Sequence, residues 1–300
     1  MMNETTTLDL RAPIPVWRRA SEHVRQRLGI DRRRGRAAWA VGLALLFFAA
    51  LAVGAALTAS EPPTDLLDRT AAPSAAHPFG TDWLGRDMLA RTLNGMLLSL
   101  GVGLLAATVS ALIALVLGVL AAVGGRAVDT VVMGLVDAAM ALPHLLLLIL
   151  ISFALGGGAF AVVVAVATTH WPRLTRILRA EVLQLRESEF VRLSPRLGRR
   201  PAWIARHHLL PRLVPQFLMG LLLLFPHAIL HEAGLTFLGF GLAPHTSAIG
   251  VLLNESMRYL STGAWWLGVL PGVALLAMVK AFDVLGTNAR ALLAAKTSQD

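Results

Sequence analysis

The sequence predicts an all-α, polytopic membrane protein with six transmembrane helices, and three observations carry that prediction. The 300 residues are 56% hydrophobic and 15% charged, with a mean hydropathy of +0.65, whereas roughly a quarter of an average soluble domain is charged. The apolar residues fall in uncharged runs of about 20, the length a helix needs to cross the hydrocarbon layer. The arginines collect in blocks between those runs, the distribution that the positive-inside rule produces. A formal net charge of +9 would otherwise point to nucleic acid. The basic blocks hold few of the interleaved aromatics that base stacking needs, so no nucleic acid is expected as a partner.

Residues 1–36 are polar and Arg-rich and form a cytoplasmic N-terminal segment, with an amphipathic helix around 16–28. The first transmembrane helix covers 37–59. Its uncharged run is too long, and begins too late, for a cleaved signal. Residues 60–95 set Glu61, Asp65, Asp68, Asp82 and Asp87 against Arg69, Arg86 and Arg91, which assigns them to the extracytoplasmic side. Within them Trp83, Leu84, Met88, Leu89 and Leu93 recur at helical spacing and predict a short interfacial helix.

Residues 96–290 make a core of five helices, and 291–300 a cytoplasmic tail. The second span, within 92–125, carries Gly101, Gly103, Ala106, Ala107, Ser110, Ala114 and Gly118, small residues that let a neighbouring helix approach closely. The third, 138–155, is interrupted by Pro143, and three glycines at 156–158 turn the chain. The fourth begins at Ala159, and its apolar part is short because Arg173, Arg176 and Arg179 snorkel from one face. The fifth is 213–231, an outer loop fills 239–258, and the sixth, 259–279, is anchored by Trp265 and Trp266. Both termini then face the cytoplasm.

Between the fourth and fifth spans lies a basic loop, 186–212, that is too short to fold alone. It holds Arg192, Arg196, Arg199, Arg200 and Arg206 with an apolar pattern of Phe190, Leu193, Leu197, Trp203 and Ile204. That combination predicts a surface offered to a cytoplasmic partner. The two lysines, Lys280 and Lys296, follow Val279 and Ala295, so the chain has no GxxxxGK[ST] phosphate loop and must borrow its energy. Without cysteine there is no disulfide, thiolate zinc site or iron-sulfur cluster.

His227 and His231 stand four apart on one helix face beside Glu232, which is metal-ligand spacing, and are candidates for the cargo path. The sequence HEAGL places Leu235 where HExxH needs its second histidine, so a zincin is excluded. His144 and His170 each neighbour a proline and read as helix-packing residues, and Asp137 and Asp283 as carboxylates at inner span ends. The rival reading is an ion-gradient-driven secondary transporter. It would place ionisable groups at mid-membrane, and the centres of the six spans are empty of charge.

Several motifs, in order along most of the chain, resemble the permease subunits of bacterial ABC importers for dipeptides, oligopeptides and nickel, in particular the second (C-type) permease. HPFGTDWLGRD (77–87), with Gly80, Thr81, Asp82, Gly85, Arg86 and Asp87, is similar to the family's outer signature, although Leu97 stands where relatives commonly carry arginine. GLTFLGFG (234–241), MRYL (257–260) and WWLGVLPG (265–272) are similar to its C-terminal signatures. The family's cytoplasmic signature is a Glu-Ala-Ala triplet, a Gly four positions later and a Leu-Pro whose proline stands thirteen beyond that Gly. Here Gly198, Leu210 and Pro211 keep the spacing, while Arg192, Leu193 and Ser194, shortly after Glu189, replace the triplet. Pro195 follows at once and predicts a shorter or bent coupling helix.

The resemblance implies the type I ABC importer permease fold in the bacterial inner membrane. It also implies a homologous second permease, two ATPase subunits docked on the coupling loop and an extracytoplasmic solute-binding protein as partners. No cofactor would be bound by this chain, with ATP and Mg on the ATPase subunits. The cargo would be nickel, a metal-chelate or short peptides, and the His-rich end resembles the nickel and metal-chelate branch.

Overall fold

A computed structural model describes residues 16–58 and 63–297, so the first fifteen residues and the last three of the expected terminal segments lie outside it, as does Glu61. Among the described residues the chain is helical, with ten α-helices: α1 (Val16–Leu57), α2 (Met88–Val123), α3 (Gly125–Ala141), α4 (His144–Ala154), α5 (Gly158–Arg186), α6 (Glu189–Leu193), α7 (Pro201–Ile204), α8 (Leu210–Phe237), α9 (Ile249–Ser256) and α10 (Trp266–Thr297).

The stretches Gly35–Leu57, Met88–Val123, Ala205–Phe237 and Trp266–Asn288 are long and apolar enough to cross a membrane, and the bent pair α3–α4 makes a fifth. The remaining expected crossing, the fourth span, lies in α5, which is 29 residues long. Arg173, Arg176 and Arg179 interrupt its apolar character, and it falls outside that group. Helix α1 is a single 42-residue rod, about 63 Å long, that joins the two N-terminal helices read from the sequence.

Two expectations are corrected. No separate interfacial helix spans 83–93: residues 80–87 form a turn closed by the Thr81–Asp87 bridge, and helix starts only at Met88. The reason is local, because the Asp87 carboxylate accepts the Ala90 amide at 2.8 Å and caps α2 there, while Gly80 and Gly85 take left-handed φ angles of 69° and 75°. The expected outer loop 239–258 contains α9, and α8 runs past residue 231 to Phe237.

Helix α2 is the central post, packed on α5, α8 and, less extensively, α1. The expected small-residue face is the reason. Ala106, Ala107, Ser110 and Ala114 are fully buried, and a Cβ on Gly103 would come within 2.7 Å of Ile229. On Gly118 it would meet the Thr175 carbonyl at 3.0 Å. Without a hydrophobic drive in lipid, this close backbone approach supplies the attraction. Leu142 is extended (ψ 143°), as the residue before a proline prefers, and the chain turns 95° between α3 and α4.

Candidate functional site

The basic segment is built on a small apolar base. Val182 and Leu185 of α5, Ala122 of α2, Val191 of α6, Ile204 of α7, and Leu209 and Leu213 around the start of α8 form one buried cluster, with Phe190 and Trp203 packed against it. The Arg212 guanidinium lies 4.1 Å over Phe190 and that of Arg199 4.4 Å over Trp203, which itself stacks on His207 at 4.4 Å. Arg186 donates to the Ala122 carbonyl.

As Pro195 predicts, α6 ends after five residues, and residues Ser194–Leu197 tighten into a 3₁₀ turn. Gly198 then reverses the chain at a φ of 72° with open space around it, and Arg199 N–H reaches back to the Ser194 carbonyl at 3.1 Å. Of the predicted coupling residues, Glu189, Arg192, Leu193, Gly198, Leu210 and Pro211 are exposed, and Ser194 is buried, donating to the Phe190 carbonyl at 2.6 Å. The apolar pattern read from the sequence splits: Phe190, Trp203 and Ile204 turn inward, while Leu193 and Leu197 stand out among Arg192, Arg196, Arg199 and Arg200.

At the opposite end the outer signature is a clasp. Asp82 accepts the Leu84 and Arg86 amides at 2.8 and 2.9 Å, and its Oδ2 meets Arg86 Nε and Arg91 Nη1, each at 2.7 Å. Arg91 also donates to Glu255 of α9 at 2.9 Å, a tie between residues 164 apart that the sequence did not reveal. Thr81 accepts the Ala71 amide at 2.8 Å and donates to the Asp68 carbonyl, and Asp87 pairs with His77 at 2.9 Å.

The expected cargo-path trio is not assembled. His231 points to His144 and His170, whose rings pack edge to face with it and with each other at centroid separations of 4.5–4.9 Å. His227, one turn earlier, is exposed, and its ring bonds the Leu223 carbonyl. Glu232 faces the other way, wholly buried toward α2. One of its oxygens accepts from Thr236 Oγ1 at 3.1 Å, and the other has no partner among the described residues. Spacing within one helix could show His227 and His231 but not the approach of α4 and α5. The other unforeseen contacts join α3 to α5: Arg179 bonds Asp129 through two nitrogens at 2.5 and 2.6 Å, and Arg176 pairs with Asp137. Two grooves are apolar, one of about 680 Å³ lying between α2 and α5 with Leu97 in its wall, and neither holds the histidines.

Comparison with known proteins places this arrangement. The family described as "Binding-protein-dependent transport system inner membrane component" matches residues 114–297. A protein of Brucella suis biovar 1 assigned as a peptide transport system permease is 37% identical over 261 residues, covering 86% of this chain and 88% of its own. The dipeptide transport system permease protein DppC of Bacillus subtilis is 35% identical over 221 residues, 74% of this chain and 69% of its own. In fold, a chain of the MetNI methionine ABC transporter in an inward-facing form matches with a TM-score of 0.51 at 18% identity, over 67% of this chain and 97% of that one. With the apolar helices, the small-residue packing of α2 and the basic segment between α5 and α8, the chain belongs to the binding-protein-dependent inner membrane component family and is the membrane-spanning permease of an ABC importer.

Proposed function

We propose that this permease imports short peptides as one half of a translocation path, paired with a homologous second permease. Two ATPase subunits, which carry the ATP and Mg, dock on residues 186–212, and an extracytoplasmic solute-binding protein delivers cargo at the clasp end. Both termini are then cytoplasmic, on the side of the arginines. The observation that carries this reading is the coupling segment, where exposed Leu193 and Leu197, ringed by arginines, sit on a base anchored to both α5 and α8. A push there reaches two membrane helices at once. The named peptide permeases among the relatives support the cargo class.

The test is uptake by proteoliposomes containing the reconstituted complex with its binding protein. Radiolabelled dipeptide should accumulate only with ATP inside. Gly198→Val, which forces a branched side chain to a φ of 72° where nothing crowds it, should cut uptake at least tenfold while the complex still assembles. Normal uptake by that variant would remove the segment from the mechanism.

A further inference from the structure

We propose that His144, His170 and His231 form a binding site for a divalent transition-metal ion of the nickel, copper and zinc class. The site lies on the translocation path, a placement that rests on the permease reading above. The three side chains each offer a ring nitrogen, and these atoms all lie within 4.8 Å of one another. His170 Nε2 and His231 Nδ1 lie 3.3 Å apart, which shows how closely the two rings approach. Two imidazole nitrogens on one tetrahedral ion stand about 3.3–3.4 Å apart, given bonds of about 2.0–2.1 Å, so side-chain rotations of about an ångström bring the three rings onto one ion.

The surrounding backbone orients the rings. His170 Nδ1 contacts the Val166 carbonyl at 2.9 Å and His231 Nδ1 the His227 carbonyl at 2.7 Å. A carbonyl only accepts, so both Nδ1 atoms carry their hydrogens and each Nε2 keeps its lone pair. That is the outer-shell arrangement typical of metal-bound histidine. Neutral imidazoles without a carboxylate select borderline transition ions over magnesium or calcium.

Position supports the same conclusion. His170 lies twelve residues into α5, about 18 Å from its start and thus near the middle of a hydrocarbon layer of about 30 Å. His144 is the first residue after the α3–α4 break, and interrupted helices at mid-depth are where transported solutes and ions are held. Arg173 stands three residues, just under one turn, beyond His170 on α5. Its cation favours an ion that arrives with anionic ligands, such as a peptide carboxylate, over a bare one.

The experiment is equilibrium binding of Ni²⁺ alone to the purified complex in nanodiscs, with X-ray absorption to count imidazole ligands. The wild type should bind one ion per copy of this chain through three imidazoles. His144→Ala and His231→Ala should each weaken that binding more than tenfold, and His245→Ala, on the exposed outer loop, should not change it. Arg173→Ala should tighten binding of the bare ion. Melting temperature reports whether each variant remains folded, and the ligand count in the wild type needs no variant. Absence of the stoichiometric ion, fewer than three imidazoles, or full affinity in both folded histidine variants would overturn the site. Dipeptide uptake is measured on the same purified complex reconstituted in proteoliposomes: uptake without the ion removes the site and leaves the importer, whereas ion binding without uptake does the reverse.

Discussion

Arg91 reaches Asp82 at 2.7 Å and Glu255 at 2.9 Å from a side chain that is 3% exposed. Its role is mechanical: one guanidinium fastens the outer turn to α9. Stranding a buried charge costs about 3–5 kcal/mol, but Asp82 keeps Arg86 and two amides and Glu255 is partly exposed. Arg91→Ala should therefore lower stability by less than that in chemical unfolding, and Arg86→Ala by less again, because Arg86 is partly exposed. Gly85→Ala should be worse than either. Its φ is 75°, and the added Cβ would lie 1.6 Å from the Asp65 carbonyl oxygen, so folded protein should be nearly lost from the membrane fraction. The sequence showed these signature residues but not their work, since the partners Asp65 and Glu255 come from elsewhere in the chain. The histidines make the same point: the i, i+4 pair was legible, but its true companions are 61 and 87 residues away from His231.

At the scale of elements, the sequence was informative wherever the physics is local. Pro195 foretold the early end of α6, Pro143 the interruption of the third span, and the small residues of α2 its buried face. The interfacial helix was misread because an amphipathic spacing around Trp83 is overridden by two left-handed glycines and the Asp87 cap. Ion pairs between elements were also out of reach. The Asp129–Arg179 pair ties α3 to α5 a few residues before the segment 186–212, so on the proposed coupling reading a push from the ATPases passes close to it. Asp129→Arg alone should slow ATP-driven uptake several-fold. The swapped double variant, Asp129→Arg with Arg179→Asp, should recover most of it, as a double-mutant cycle on uptake rates would read out.

On the scale of the whole molecule, the chain has a membrane body and a proposed docking surface but no phosphate loop. The isolated permease in proteoliposomes should hydrolyse no ATP and move no dipeptide under an imposed proton or sodium gradient. Gradient-driven movement would restore the secondary transporter as the better account. The interruption at Leu142 and Pro143 has a last consequence. Carbonyls at the end of α3 and amides at the start of α4 lack intrahelical partners, and the residues around them, 141–143, are exposed on this chain. Bare peptide groups cannot face oil at that depth without a penalty of several kcal/mol each. The bilayer therefore cannot seal against this corner. Those groups need polar company, from water or from another polypeptide, wherever the corner lies within the hydrocarbon layer.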